Sequence, residues 1–224
     1  AGICGSDIHA YLGHDERRPS PLILGHELSG VVASGVSSGS RVVINPLVTD
    51  EDSLATQLGR ENLCVSRQIL SMPPREGGFA ELVSVPERNL IPVPDEYPLE
   101  KAALIEPIAC GWHAVRVARQ AVIESIEQCQ CLVIGGGAIG FGSALVLRAL
   151  QAGSIKVCDT NEARVQKLSD EGFDAVNNAE EIVSSNNAID SGFHLIIDGV
   201  GSSSSRMLAS RVATAGGVIV HIGL

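Results

Sequence analysis

Apolar and polar positions follow two different rhythms along this chain, and the rhythm changes near its middle. From about residue 130 onward, short apolar runs alternate with helical stretches. Leu132-Val133-Ile134 is unbroken apolar sequence, as in a parallel strand covered on both faces. A glycine turn follows, then an apolar helix predicted from Ala138 to about Ala152 with Gly153 as its stop, then a strand, Ile155–Asp159. Asn161 opens the next helix, which stops at Gly172. Asp174–Val176 and Phe193–Asp198 read as the third and fourth strands. Ser202–Ser205 caps a further helix, and Gly216-Gly217 turns into a fifth strand, Val218–Ile222. This alternation predicts an α/β fold with a doubly wound parallel sheet in the order 3-2-1-4-5-6, five of the six strands being present.

The first half is different. Residues 42–45 and 79–85 carry Val, Ile and aromatic residues between Pro and Gly boundaries, and read as strands of an antiparallel, barrel-like domain. Pro86, Pro92, Pro94 and Pro98 break up the connector, Glu100–Leu104 reads as a short helix, and Ala109–Ala121 has helical periodicity that links the halves. The predicted boundary divides the chain into 1–107 and 108–224.

Composition narrows the picture without deciding it. The 224 residues are 45% hydrophobic and 19% charged, which describes a folded chain rather than a disordered one. The formal net charge of −10, with no Lys/Arg cluster, argues against nucleic acid or an anionic membrane as a partner. No apolar run reaches the roughly 20 residues needed to span a bilayer. The spacing of Cys4, Cys64, Cys110, Cys129, Cys131 and Cys158 suggests no disulfide framework and suits a reducing, cytoplasmic setting.

Candidate chemistry lies in two places. In the second half, Gly135-x-Gly137-x-x-Gly140 follows a strand and opens a helix. The first glycine allows the tight turn, the second lets a pyrophosphate approach the backbone, and the third lets helix and strand pack closely. The helix N-terminus would point free N–H groups at that pyrophosphate. Asp159, at the end of the next strand, can accept from both ribose hydroxyls of an adenosine and would repel a 2′-phosphate, which favours NAD over NADP. The bland reading is a Rossmann-like domain without its ligand. In the first half, Gly2-Ile-Cys-Gly-Ser-Asp-Ile-His9, Gly25-His-Glu27 and Glu106-Pro107 bring a thiolate, imidazoles and carboxylates into Gly-rich or Pro-bounded segments, a donor set able to hold zinc with one position open. Taken singly, each of these is more simply a core cysteine, a solvated turn or a cap.

Together with Gly77-Gly-Phe-Ala-Glu81, these motifs stand in an order that resembles the zinc-dependent medium-chain alcohol dehydrogenases, most closely their sorbitol, idonate and polyol branch. The resemblance implies a GroES-like catalytic domain followed by a Rossmann NAD-binding domain. It implies Cys4, His26 and Glu27 as ligands of a catalytic zinc, Glu106 as a ligand bound directly or through the zinc water, and Asp7 as the carboxylate that orients His26. Ser6 and His9 match the family's proton relay from substrate hydroxyl through the ribose to the surface; turn capping is their plain alternative. Ile139 joins Gly135, Gly137, Gly140 and Asp159 at the cofactor, and Arg164 stands where the family has a basic residue near the ribose, or is merely an exposed helix charge. The Ile222–Leu224 tail would approach the nicotinamide.

One departure matters. Where the family holds a second, structural zinc on four cysteines, this chain has Asp50, Ser53, Thr56 and Cys64. One thiolate cannot hold a closed tetrahedral site, so no structural zinc is expected. The resemblance also implies that first strands and a C-terminal segment lie outside these residues, making the chain a fragment of a protein that forms a homo-oligomer at full length. The function implied is hydride transfer between an alcohol or polyol and NAD. A metal-free NAD(H)-binding remnant or sensor remains open beside it, as does a zinc-independent reductase, against which the intact donor set argues.

Overall fold

The computed structural model describes residues 1–185 and 192–223. The chain forms two compact units, Ala1–Glu106 and Pro107–Leu224.

In the first unit, α1 (Gly5–Tyr11) is followed by β1 (Ser29–Val31), β2 (Arg41–Ile44), β3 (Leu47–Val48), α2 (Leu54–Gln57), β4 (Gln68–Ile69), β5 (Leu90–Pro92) and α3 (Leu99–Ala102). The strands are antiparallel: β1, β2 and β5 make one sheet with β2 central, and β3 pairs with β4. The apolar faces close over small cores, Leu28, Ile44 and Leu70 with Val83, Val85 and Leu90 in one, and Val43, Val93 and Ala102 in another. Residues 79–85, expected as a strand, form a bend followed by irregular chain outside any strand ladder. A groove of about 610 Å³ lies between this segment and β1, so the outer edge of β1 cannot supply the ladder that would make residues 79–85 a strand.

In the second unit, α4 (Ile105–Ala118, its first turn in the first unit) leads to β6 (Gln130–Ile134), α5 (Ala138–Ala149), β7 (Ser154–Cys158), α6 (Glu162–Asp170), β8 (Asp174–Val176), α7 (Ala179–Ser185), β9 (Phe193–Asp198), α8 (Ser203–Val212) and β10 (Ala213–His221). The sheet runs β10-β9-β6-β7-β8, all parallel, which is the expected order with five strands. Both faces of β6 are covered, as its apolar run requires. Cys131 and Val133 pack toward Ala144 and Leu147 of α5 and Val115 of α4, while Leu132 and Ile134 pack toward Ile182 of α7 and Ala209 and Val212 of α8.

Three local expectations are corrected. The helix α5 ends at Ala149, and the left-handed residue after it is Gln151 (φ 57°), not Gly153. Gly153 is needed for a different reason: a side chain there would collide with the carbonyls of Glu127 and Cys129. The linking helix begins at Ile105 and ends at Ala118, earlier at both ends than its periodicity suggested. Finally, β10 begins at Ala213, and the Gly216-Gly217 pair lies inside it as an irregularity where the register with β9 jumps from Ala213 to Val218. Among the described residues, no helix is long and apolar enough to cross a membrane.

Candidate metal centre and nucleotide site

The metal-ligand candidates are assembled by two clamps in the first unit. Cys4 is the N-cap of α1, and Asp7 reaches back to accept from the Cys4 N–H at 3.0 Å. The other Asp7 oxygen accepts from the Gly25 N–H at 3.1 Å, so one buried carboxylate ties α1 to the Gly25-His-Glu turn. Arg18, almost fully buried, brings Nη1 to 4.0 Å from Asp7.

The second clamp is the Gly-Gly-Phe segment. Gly77 N–H donates to Ile23 O (2.7 Å), Gly78 N–H to Gly25 O (2.9 Å) and Phe79 N–H to Leu24 O (2.9 Å). Gly25 takes φ 95° beneath the Phe79 ring, where a side chain would be both strained and obstructed. Gly2 N–H donates to Glu27 O at 2.8 Å, and a Cβ on Gly2 would collide with the Glu27 carboxylate.

These constraints bring one ligand atom each from Cys4, His26 and Glu27 within 4.8 Å of one another. His26 and Glu27 are buried and Cys4 is half-buried. A hydrogen bond from His26 leads the effects that draw the Cys4 thiol below its ordinary value against the cost of burial, with Ser6 adding to the lowering. Burial pulls His26 down, but the Cys4 hydrogen bond and the charges of Asp7, Cys4 and Glu106 set its net shift upward. Glu27 and Glu106 are raised, burial first, with neighbouring carboxylates adding to it. The close approach of these groups is what shifts them, each favouring the protonation state that lowers the mutual repulsion.

Glu106 lies in the first turn of α4, in the field of His26, Glu27 and Asp7 but outside the three-residue cluster. Ser6 stands beside the Cys4 thiol as a hydrogen-bond partner. His9 is exposed, with its ring centroid 6.2 Å from that of His14. The nitrogen His26 Nδ1 has Ser71 Oγ at 3.2 Å and Asp7 Oδ1 at 3.4 Å, so the expected orienting carboxylate shares its place with a serine that the sequence did not single out.

Around Cys64 the hydroxyls have taken over. Ser53 caps α2 through the Thr56 N–H at 3.2 Å, and Ser66 Oγ lies 3.4 Å from Cys64 Sγ. Hydrogen bonding, from Ser53 first and then Ser66 and the Asp50 backbone, lowers the Cys64 thiol to about 7.

In the second unit, strand order reverses between β6 and β9, and the crevice at their carboxyl ends is the place where such a sheet binds a ligand. Gly135 has φ 93° and sits against Val200; any side chain on Gly140 would strike the Gly135 carbonyl, while Gly137 faces open space at the N-terminus of α5. Ile139 lies in the first turn of α5 and is half-buried. Asp159 accepts from the Gly136 N–H (2.7 Å) and the Asn161 N–H (2.8 Å), and Arg164 Nη1 lies 3.4 Å from it. Burial pushes this carboxyl up, but the two N–H groups and the guanidinium bring it below its ordinary value. The acid therefore stays charged at the edge of the glycine turn.

Sequence reading passed over the role of Asp198. Fully buried, it accepts from Val200 N–H (3.0 Å), Gly201 N–H (3.1 Å), Ser205 Oγ (3.0 Å) and His221 Nδ1 (2.9 Å), locking the turn after β9 to α8 and β10. An acid ending an apolar strand was the one available signal. Leu224, expected near the nicotinamide, lies outside the described residues.

Residues 1–95 match the family model described as the alcohol dehydrogenase GroES-like domain. The chain belongs to the medium-chain alcohol dehydrogenase family. It is 34% identical over 208 residues to (R,R)-butanediol dehydrogenase of Saccharomyces cerevisiae, covering 79% of this chain and 53% of that protein. It is 36% identical over 174 residues to L-galactonate-5-dehydrogenase of Escherichia coli, covering 75% and 49%. Among solved structures, an alcohol dehydrogenase (rspB) of Escherichia coli CFT073 complexed with NADH superposes with a TM-score of 0.87 at 30% identity, covering 100% of this chain and 66% of that one. The chain thus spans about half the length of the curated relatives it matches.

Proposed function

We propose that the chain is part of a zinc-dependent, NAD-linked dehydrogenase acting on the CH–OH group of an alcohol or polyol. The observation that carries this reading is the convergence of Cys4, His26 and Glu27 from two separate segments. Thiolate, imidazole and carboxylate fit a catalytic zinc, with Glu106 close by as a further donor. The glycine cradle with its charged acid fits NAD. When bound, zinc supplies a Lewis acid for the substrate hydroxyl and NAD supplies the hydride acceptor.

The protein's own part is charge, orientation and proton transfer. Cys4 and Glu27 balance the cation, and neutral His26 completes the set. Ser6 would accept the hydroxyl proton at Oγ as it gives up its own, and exposed His9 would be the group at the end of the relay that returns a proton to solvent. In the second unit, Gly135, Gly137, Ile139 and Gly140 seat the pyrophosphate, Asp159 holds the ribose hydroxyls, and Arg164 supports Asp159 from the side. The butanediol and galactonate enzymes among the relatives point to a small, polyhydroxylated substrate. The Cys64 lobe offers one thiolate among hydroxyls and does not fit a structural zinc. By resemblance the full-length protein is a cytoplasmic homo-oligomer, and the acidic charge leaves neither nucleic acid nor membrane as a partner.

Elemental analysis of chain purified without chelator, paired with NADH fluorescence, tests this. About one zinc per chain, lost in Cys4→Ser and kept in Cys64→Ser, is expected together with NADH binding. A well-folded chain that binds NADH and holds no zinc would move the function to a non-catalytic NAD(H)-binding protein.

A further inference from the structure

We infer that Ser71 is a positioning residue of the metal centre, fixing the His26 ring and its tautomer through Nδ1; this rests on the metal reading of Cys4, His26 and Glu27. Ser71 has φ 61°, one of two non-glycine residues with positive φ among the described residues. It is 0% exposed. A left-handed backbone favours glycine, which carries no Cβ to clash with the carbonyl that follows. Here the position carries a side chain, and the hydroxyl on that side chain ends 3.2 Å from His26 Nδ1. Backbone held in an unfavourable region recurs where the surroundings use the group it presents.

Asp7 alone does not complete the second coordination layer. Its Oδ1 is 3.4 Å from Nδ1 but also accepts from the Gly25 N–H, while Oδ2 accepts from the Cys4 N–H. Ser71 Oγ is the nearer hydrogen-bond partner for Nδ1. With a carboxylate oxygen and a hydroxyl oxygen both near Nδ1, a neutral imidazole that carries its proton on Nδ1 would keep Nε2 as its lone-pair nitrogen. A metal-bound histidine whose far nitrogen is held in this way keeps both ring angle and basicity.

The backbone makes the test specific, because a purely structural role and a positioning role predict opposite results. Ser71→Gly removes the hydroxyl and relieves the left-handed strain; Ser71→Ala removes the hydroxyl and keeps the strain. The measurements are zinc affinity by chelator competition, thermal unfolding of the metal-free chain, and the imidazole tautomer from long-range ¹H–¹⁵N spectra of His26. Both variants are expected to bind zinc roughly 10-fold or more weakly than the parent. Ser71→Gly is also expected to raise the melting temperature of the metal-free chain, and the His26 spectra of both should show the Nδ1–H form less fully populated, Asp7 being the partner left at Nδ1. Parent-like zinc affinity in both variants, with Cys4→Ser abolishing binding, would overturn the role of Ser71 and leave the metal centre standing. Absence of zinc binding by the folded parent chain would overturn both.

Discussion

At the scale of single residues, the nucleotide site has the sharpest consequence. Asp159 holds the Gly136 and Asn161 N–H groups and has Arg164 against its open side. Its negative charge opposes a 2′-phosphate, and its removal would release the guanidinium to meet one. Asp159→Ser is therefore expected to weaken NADH binding and strengthen NADPH binding, shifting the ratio of the two dissociation constants by roughly 10-fold or more, since about 1.4 kcal/mol corresponds to tenfold. Fluorescence titration with both cofactors reads this directly. A matching loss for both cofactors would mean that Asp159 acts through the fold of the turn instead.

At the scale of elements, the Gly77-Gly-Phe segment and the Gly25-His-Glu turn are one device. Three backbone hydrogen bonds join them, and the Phe79 ring occupies the space above Gly25. Gly25→Ala asks for a left-handed alanine against an aromatic ring, and a loss of about 1–3 kcal/mol in urea unfolding is expected. Part of that loss should return when Phe79→Ala is added, because the collision is with that ring while the φ cost remains. Zinc affinity should fall along with stability in the single variant, since His26 and Glu27 follow Gly25 in the turn. If Phe79→Ala restores nothing, the strain lies wholly in the backbone.

At the scale of the whole molecule, two groups of acids contribute to stability in opposite pH ranges. Asp198 is pushed up by burial but brought below its ordinary 3.8 by the Gly201 and Val200 N–H groups, His221 and Ser205. A lowered carboxyl contributes stability that is full above its unfolded value and lost as pH falls through its folded value, so the contribution of Asp198 is present at neutral pH and disappears in acid. Glu27 and Glu106 are raised above 4.5 and His26 above 6.5, so in the metal-free chain their contribution is present at low pH and is lost as pH rises. Cys4, lowered from 9.0, opposes them. Urea unfolding at several pH values should show Asp198→Asn flattening the acid limb while costing about 3 kcal/mol at neutral pH. Zinc added to the parent should stabilise most at high pH, where its ligands have given up their protons. An acid limb unchanged by Asp198→Asn would remove Asp198 as its source.

The sequence by itself determined the parallel half almost strand for strand. An apolar run buried on both faces, glycines at a fixed spacing and an acid at the next strand end are local signals, and each is tied to backbone geometry that few other residues permit. Cys4, His26 and Glu27 were marked only by the resemblance that the order of several motifs carries, since each residue taken singly has a plainer reading. Tertiary structure decided the rest. Residues 79–85 have strand composition, but strand formation needs a partner edge, and β1 is separated from them by a groove. Gly153 resembles a helix stop in sequence, yet the left-handed turn falls at Gln151, and what requires a glycine at 153 is the nearby backbone of 127–129. Ser71 and Asp198 were not legible as site residues for the same reason. Ser71 is defined by its φ and by His26, 45 positions away; Asp198 is defined by a histidine 23 positions away. Local sequence encodes which conformations a segment can adopt, but a partner brought in from a distant segment is set by how the elements pack.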